Sequence, residues 1–143
     1  ILNRPIEVPD ALREIFPFLD NHLYQGGPVK PDTMQLLHPY GEKIGGAIEV
    51  LPGVWMGGDM TDLNAGFDSH LFDPEQCRFF LGYAGWAKDQ LTDEITINSW
   101  LTTPANPELV FRVSAHRLWS QAIRQLGQKE RLYAHYPDHP SSN

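Results

Sequence analysis

Short apolar runs separated by turn residues predict the strands of this chain. The strongest strand signal is Cys77 to Tyr83, whose nearly continuous apolar run is typical of burial on both faces. Ala47 to Leu51 and Val54 to Gly57 are two further β-prone runs, and Pro52-Gly53 between them has the type II turn signature. Thr33 to His38 also favours a strand, although its apolar positions suit a helix as well. The predicted strands are therefore short and unevenly spaced.

Three segments have apolar positions at helical spacing, and a fourth, after Gly58, is predicted to form a short helical turn. Their predicted N-caps are Asp10, Asp59 or Thr61, Asp89 and Ser114. Pro17 ends the first of these helices because its ring clashes with the preceding turn, and Gly127 ends the last as a C′ residue. A further strand is predicted over Ser99 to Thr103, ended by Pro104. Because the strands and helices do not alternate at βαβ spacing, the predicted class is α+β with a mixed sheet.

Length and composition point to one globular domain. The chain has 143 residues, of which 41% are hydrophobic and 11% aromatic, which excludes wholesale disorder. We place the domain at residues 1–136 and a flexible tail at 137–143. The longest run of apolar residues and glycine, Phe79 to Ala87, is far short of the ~20 residues that span a bilayer, so no membrane contact is expected.

The charge balance argues against direct binding to nucleic acid. The formal net charge is −7, whereas a DNA-reading domain usually presents a basic face. Basic residues gather only near the end of the chain, at Arg112, Arg117, Arg124, Lys129 and Arg131. We favour a solvated helix face for this stretch, since the helix dipole stabilises positive charge near a C-terminus.

The first residue and the single cysteine carry two expectations. Residue 1 is Ile rather than Met, so we expect a preceding segment that is not part of this sequence. Cys77 has no partner for an internal disulfide, which fits a reducing compartment and predicts a cytoplasmic location.

Several segments follow one another in the order of a known bacterial family. They are Leu2–Pro5, Tyr24–Val29, Gly57–Asp59, Arg78–Trp86, Gln90–Leu91 and Asn98–Leu101. In these segments the chain resembles the YqgE/AlgH family (UPF0301/DUF179) up to about Gly127. The resemblance implies an α+β domain with a large bent mixed sheet and a few short helices. The resemblance also implies a transcriptional regulator, which is a label often given to this family, although the family is largely uncharacterised and has no accepted catalytic mechanism.

The same resemblance bears on the start of the chain. Family members carry a strand-rich segment before the Asn-Arg-Pro motif, which here is Asn3 to Pro5. We therefore expect an unpaired sheet edge that another chain or a crystal contact would cover. Around Ala87 to Asp89 the sequence departs from the Gly/Pro-containing turn of many relatives.

Pairs of glycines invite comparison with phosphate-binding loops. Gly26-Gly27, Gly45-Gly46 and Gly57-Gly58 fit neither the P-loop nor the dinucleotide spacing. Gly82-x-x-Gly85 before a helix comes closer, but acidic residues at that helix start would repel an anion. We favour tight turns and close backbone packing as the reason for these glycines.

Asn3, Arg4 and Asp59 are polar residues beside motif glycines. If they converge, an arginine, a carboxylate and an amide could bind a small polar ligand or position a water molecule. Alternatively, Arg4 and Asp59 form a structural ion pair that fixes two loops, which is the interpretation we favour.

Other reactive side chains show no catalytic or metal-binding pattern. His135 and His139 have metal-like spacing, but Pro137 breaks the helix that would align them. The histidines His22, His38, His70 and His116 form no ligand set, Cys77 is expected to be inert, and Ser99 lacks a nucleophile elbow. We therefore predict no metal and no cofactor.

Two functional hypotheses remain. The favoured one is a non-enzymatic regulatory domain that acts through a protein partner or a small polar ligand. The alternative is a hydrolase-like enzyme that uses Asp59 and Arg4 in a glycine-lined cleft and requires a raised Asp59 pKa. Trp86, in a glycine-flanked loop, is the tryptophan expected to be partly exposed for a partner, and packing over the last helix is the alternative. The candidate site comprises Asn3, Arg4, Gly26, Gly27, Gly58, Asp59, Gly85 and Trp86; a homodimer is left open.

Overall fold

The computed structural model describes residues 1–20 and 22–126, which fold around a five-stranded sheet. Its strands are β1 (Leu23–Gln25), β2 (Val29–His38), β3 (Ile48–Leu51), β4 (Val54–Met56) and β5 (Arg78–Tyr83). They lie in the order β1-β5-β2-β4-β3, with β1 and β5 parallel and the other neighbours antiparallel. The predicted α+β class with a mixed sheet is confirmed.

Helices and tight turns connect these strands. The helices are α1 (Asp10–Ile15), α2 (Met60–Asp68), α3 (Gln90–Thr96) and α4 (Ala115–Arg124), and a π-helical turn covers Glu108–Arg112. Short 3-10 turns lie at Pro17–Leu19, Gly41–Lys43 and Pro74–Gln76. The predicted strand pair around Pro52-Gly53 is present, and Gly53 adopts the positive φ of 78° that a type II turn requires.

The predicted helix caps are only partly correct. The Asp59 carboxylate does cap α2, where it accepts a 2.6 Å hydrogen bond from the Thr61 amide. Asp10 does not cap α1, because it is the first helical residue and Pro9 holds the cap position. Asp89 and Ser114 precede α3 and α4 as predicted, but neither side chain makes a capping hydrogen bond.

The predicted strand over Ser99 to Thr103 is wrong. Within residues 1–20 and 22–126 no strand pairs with this segment, which runs irregularly between α3 and the π-helical turn. Side-chain contacts hold it instead: the Trp100 indole binds Glu94, and the Thr103 hydroxyl lies 3.0 Å from the Gln125 side-chain oxygen. Without a neighbouring strand edge, β-prone residues cannot form a sheet.

The main core lies where α1 and α2 cover one part of the sheet. Its fully buried side chains include Leu19, Leu23, Ile44, Leu63, Cys77 and Phe79. A smaller cluster joins Val54 of β4 to Val110 and Phe111 of the π-helical turn. The turn therefore packs against the sheet, which brings its carbonyl groups close to the start of β5.

The two outer strands of the sheet differ in how their edges are covered. The segment before α1 lies along β1, with an isolated bridge between Pro5 and Tyr24. On the opposite edge β3 has no outer partner among the described residues, and its Ile48 and Val50 are exposed. The described residues thus leave an unpaired edge at β3, away from the start of the chain. That the preceding segment leaves an edge, and that another chain covers it, both stay predictions.

None of the helices in the described part of the chain is long and apolar enough to cross a membrane. The predicted domain boundary at residue 136, the tail 137–143 and the helix end at Gly127 lie outside the described residues.

Candidate functional site

Gly26 and Gly27 pack against the end of β5. The Gly26 amide donates a 2.8 Å hydrogen bond to the Leu81 carbonyl, which extends the pairing of β1 with β5. A Cβ atom on Gly26 would overlap the Gly82 carbonyl, and one on Gly27 would overlap the backbone of Tyr83. Because backbone rather than a flexible side chain fills this space, the contact agrees with the close-packing interpretation.

Gly58 and Gly85 have different surroundings. Gly58 has a φ of 109°, and a Cβ there would approach the Ile44 side chain, so its backbone conformation requires glycine. Gly85 has no neighbouring atom closer than 3.8 Å to such a Cβ. The four candidate glycines therefore have three different kinds of surroundings: close-packed backbone at Gly26 and Gly27, a positive φ at Gly58 and open space at Gly85.

Asn3, Arg4 and Asp59 are not joined in the structure. Neither a hydrogen bond nor an ion pair between their side chains is found among the described residues, so the expected Arg4–Asp59 pair is absent from them. Hydrogen bonds from Thr61 hold the Asp59 pKa below its usual value. The enzyme alternative required a raised Asp59 pKa, and the capping role accounts for the opposite direction.

Trp86 belongs to an exposed apolar surface. Its side chain is 39% exposed, and its ring centroid lies 5.9 Å from that of Trp100 in an edge-on arrangement. We define the Trp86 surface by the exposed apolar residues of segment 83–101, which are Tyr83, Trp86, Leu91, Ile95, Ile97, Trp100 and Leu101. α3, which carries Leu91 and Ile95, buries none of its own residues.

One carboxylate fixes the two indoles of this surface. The Oε2 atom of Glu94 accepts hydrogen bonds from the Trp100 indole at 2.7 Å and the Trp86 indole at 3.2 Å. The Gln90 amide donates a 2.9 Å bond to the other carboxylate oxygen. These bonds, led by that from Trp100, lower the Glu94 pKa. The tryptophans are thus held in place although little covers them.

A second feature is a cavity at the start of β5, which we call the Arg78 cavity. It has a volume of about 370 Å³. The polar or aromatic residues among those that line it are His22, Tyr24, Glu75, Arg78, Phe111, Arg112 and Ser114. The π-helical turn and the amino terminus of α4 close one side of the cavity, since Phe111 and Ala115 also line it.

Arg78 is a buried cation that makes no ion pair with a carboxylate of the described residues. The residue is only 8% exposed. Its Nε donates to the Val110 carbonyl at 3.3 Å and its Nη2 to the Phe111 carbonyl at 2.8 Å. These carbonyls lie at the end of the π-helical turn, where backbone oxygens lack helical partners. The guanidinium also lies 5.3 Å from the centre of the Tyr24 ring.

His22 is a second buried polar residue on the cavity wall. It is 7% exposed, and its Nε2 lies 3.3 Å from a carboxylate oxygen of Glu75. Its Nδ1 is the buried side-chain nitrogen that lacks a hydrogen-bond partner within the described residues. A buried polar atom without a partner is costly, so it requires an explanation.

Sequence analysis missed the Arg78 cavity. His22 was set aside for lack of a ligand set, Arg78 was noted only as part of a family motif, and Arg112 only as part of a basic stretch. One signal was available: an arginine that opens a strand expected to be buried needs a partner for its charge.

The described residues offer little for nucleophilic or metal chemistry. Burial raises the pKa of the Cys77 thiol to about 12, which agrees with the expected inert cysteine. No group of three metal-ligating side chains is found in the part of the chain that the structure describes. His135 and His139 lie outside it.

Sequence comparison places this arrangement among known proteins. A family model described as DUF179, AlgH-like, matches residues 1–131. A UPF0301 protein from Chlorobaculum parvum is 42% identical over 145 aligned positions that cover all of this chain and 77% of the relative. A UPF0301 protein from Chlorobium luteolum is 40% identical, with 76% of its length covered.

Two solved structures share the fold. The solution structure of the AlgH protein from Pseudomonas aeruginosa aligns with a TM-score of 0.68 at 30% identity, over 96% of this chain and 76% of that protein. A crystal structure of a Corynebacterium diphtheriae protein aligns with a TM-score of 0.71 at 22% identity, over 94% of this chain and 73% of that one. The second likeness concerns the fold alone.

Proposed function

Because the chain belongs to the AlgH-like family (DUF179), whose matching members are named without an activity, we propose a non-enzymatic role based on binding. In this proposal the protein is a cytoplasmic regulator that binds a protein partner through the Trp86 surface. The observation that carries the proposal is the exposure of this surface together with the fixed geometry of its two indoles.

An exposed cluster of aromatic and aliphatic side chains favours a protein partner. Tryptophan is enriched among the residues that dominate binding energy, and large exposed apolar patches mark interaction sites. Glu94 holds Trp86 and Trp100 in one arrangement, so less side-chain entropy is lost when a partner binds.

The charge of the segment specifies the chemistry of the partner. Three acidic residues, Asp89, Asp93 and Glu94, lie in the segment with one basic residue, Lys88. A partner segment that presents apolar side chains flanked by lysine or arginine would complement this surface. We therefore commit to a basic, apolar protein segment as the occupant.

Neither alternative gains support from the geometry. Asp59 is engaged at the start of α2, so the hydrolase-like interpretation lacks its acid or base. Direct DNA binding conflicts with the formal net charge of −7. Regulation through a protein partner requires neither a catalytic acid or base nor a basic surface.

The experiment is photo-cross-linking in cells that make the complete natural protein. A benzophenone amino acid replaces Leu101, which is 47% exposed and makes no side-chain hydrogen bond to Glu94, and in a control it replaces the exposed Ile15 of α1. The cross-linked protein is identified and purified, and its Kd is measured for wild type, Trp100→Ala and Trp119→Ala.

We expect a cross-link at position 101 but not at 15, to a protein whose binding weakens as salt rises. Trp100→Ala should weaken binding about tenfold or more, because tryptophan truncation at an interface centre has large effects. Trp119→Ala removes an exposed tryptophan on α4, outside segment 83–101, and should change Kd little. A cross-link within the same chain or to a second copy, or equal effects of both substitutions, would overturn the proposal.

A further inference from the structure

We propose that the Arg78 cavity binds a small organic oxyanion, whose carboxylate or phosphoryl group lies between the Arg78 guanidinium and the amino terminus of α4. This site is separate from the Trp86 surface, and the proposal stands without the partner-binding role.

Arg78 places a positive charge in the buried wall of the cavity. A buried charge is normally paired with an opposite charge or fully hydrogen-bonded. Among the described residues, no carboxylate oxygen lies within 4.0 Å of the Arg78 nitrogens. Two carbonyls use the Nε proton and one Nη2 proton, and the guanidinium carries five N–H donors in all. The remaining donors belong to a side chain that lines an open cavity.

The Nδ1 atom of His22 is a second polar group of the cavity that needs a hydrogen-bond partner. The ring lines the same cavity, its Nε2 lies 3.3 Å from a Glu75 carboxylate oxygen, and its buried Nδ1 has no hydrogen-bond partner within residues 1–20 and 22–126. A ligand with hydrogen-bonding atoms would relieve the cost of that nitrogen. Arg78 and His22 are thus two buried polar side chains on one wall, and the part of the chain that the structure describes leaves the hydrogen bonding of both incomplete.

The amino terminus of α4 is a third polar feature of the cavity wall. This helix is 10 residues long, and its first amides carry the partial positive charge of the helix dipole. Ser114 holds the cap position without making a side-chain capping bond, and its carbonyl accepts the Arg117 amide at 2.9 Å. The amides of Ala115 and His116 precede that bond at the helix start and are the ones offered to another acceptor. Ser114 and Ala115 both line the cavity, which places the helix start beside Arg78.

The charges around the cavity favour an anion but set a limit on its charge. Arg78 and Arg112 line the cavity with Glu75 as the opposing carboxylate. Glu75 Oε1 lies 3.3 Å from His22 Nε2, and Arg112 lies 3.5 Å from Glu108, which does not line the cavity. The excess of positive charge is therefore small, which suits a ligand with one oxyanion group rather than a polyanion.

The size and the aromatic walls indicate that the ligand has an organic body. A volume of about 370 Å³ far exceeds the ~30 Å³ that one water molecule occupies in liquid. Tyr24 and Phe111 line the wall beside Arg78 and offer apolar ring surface. A planar or aliphatic body against these rings, with its oxyanion toward the guanidinium, uses both kinds of wall.

The test is a titration of ¹⁵N-labelled protein followed by NMR at constant ionic strength. The probes are phenyl phosphate, benzoate and phenol, which share a ring and differ in the oxyanion. We expect saturable shifts of the Arg78 Nε–H signal and of the amides of Ala115 and His116 with at least one of the two anions. Phenol should cause none of these shifts, and the tighter anion identifies the head group.

Variants separate this site from general electrostatics. Arg78→Met should weaken binding about tenfold or more, since bonds to charged groups are the strong ones. Arg112→Gln should weaken it severalfold and keeps the test decisive if Arg78→Met does not fold. Arg124→Gln removes the same charge at the far end of α4, and Trp100→Ala alters the Trp86 surface; both should leave Kd unchanged.

Three results would overturn the proposal. They are shifts that do not saturate with either anion, equal shifts with phenol, and equal weakening by Arg112→Gln and Arg124→Gln. Loss of anion binding in Trp100→Ala would also contradict the separation of the two sites.

Discussion

The α2 and α3 regions begin from similar sequence signals and end in opposite environments. Each helix is preceded by an aspartate and carries apolar residues at helical spacing. On α2, Leu63 is fully buried and Gly66 packs against Phe72, whereas α3 buries no residue and its Leu91 is 38% exposed. Periodicity thus identifies which side chains can be buried, but the neighbouring elements decide whether they are.

Different kinds of contact hold the side chains of the two regions in place. Around α2 the aromatic rings interlock, with Tyr40 stacked on Phe72 at 4.2 Å between centroids. Around α3 a carboxylate, an amide and two indoles form a surface network. The first region is stabilised by exclusion of water and the second by polar contacts that water can reach, so substitutions and pH should affect them differently.

The largest contrast is expected for one substitution made in both helices. Leu63→Ala leaves a cavity in the core and should lower the free energy of unfolding by about 2–5 kcal/mol. Leu91→Ala removes a partly exposed side chain and should cost less than about 1 kcal/mol. Urea denaturation of both variants measures the difference. Equal losses would mean that α3 is covered as well as α2.

Alanine at two glycines tests how tightly the backbones pack. Gly26→Ala forces a Cβ against the Gly82 carbonyl and should destabilise by about 3 kcal/mol, because backbone must move. Gly85→Ala in the open region meets no atom closer than 3.8 Å and should stay within about 0.5 kcal/mol. Thermal unfolding of the pair gives the comparison. A tolerated Gly26→Ala would remove the close-packing explanation of this glycine pair.

Substitution of the N-cap residues Asp59 of α2 and Asp89 of α3 should change stability by unequal but smaller amounts than the core and glycine substitutions. Asp59→Ala removes the hydrogen bond to the Thr61 amide and should lower the unfolding midpoint, while Asp59→Asn, still a good cap, should restore most of it. Asp89→Asn should have little effect, because Asp89 makes no capping bond. If Asp59→Asn is as damaging as Asp59→Ala, the carboxylate charge matters beyond capping.

The smallest effect is an acid-dependent loosening of the Trp86 surface. The Glu94 pKa is lowered in the folded chain, so its contribution is present above the unfolded value of 4.5 and is lost as pH falls through the folded pKa. Tryptophan fluorescence should therefore change below pH 4.5 in wild type. In Glu94→Ala that acid transition should be missing; its persistence would assign it to another group.

The predictable part of the fold is the part encoded by neighbouring residues. The apolar run of β5 predicts a buried strand, and Pro52-Gly53 predicts the turn between β3 and β4. β1 was not predicted, because its three residues form a strand only through pairing with β5 far along the chain. The strand expected at Ser99 to Thr103 failed for the complementary reason: its composition is β-prone, but no sheet edge is next to it.

The Arg78 cavity could not be predicted from local patterns. It joins residues 22–24, 75–78 and 111–115, which are separated in the sequence and meet only through the sheet and the π-helical turn. The predicted site failed in a different way, since Asn3, Arg4 and Asp59 were grouped by their neighbouring glycines rather than by any spacing that implies contact. For Trp86, which belongs to the same predicted site, the glycine-flanked loop gave a physical reason to expect partial exposure, and its side chain is exposed.

The parallel pairing of β1 with β5 sets the order in which the chain can acquire its structure during synthesis. Leu23 pairs with Phe79, so β1 leaves the ribosome long before its partner has been translated. The β3–β4 hairpin, whose strands are adjacent, can form in the meantime, as expected from the rapid closure of local contacts. The nascent domain must therefore keep the apolar side of β1 from aggregating until residue 83 has emerged.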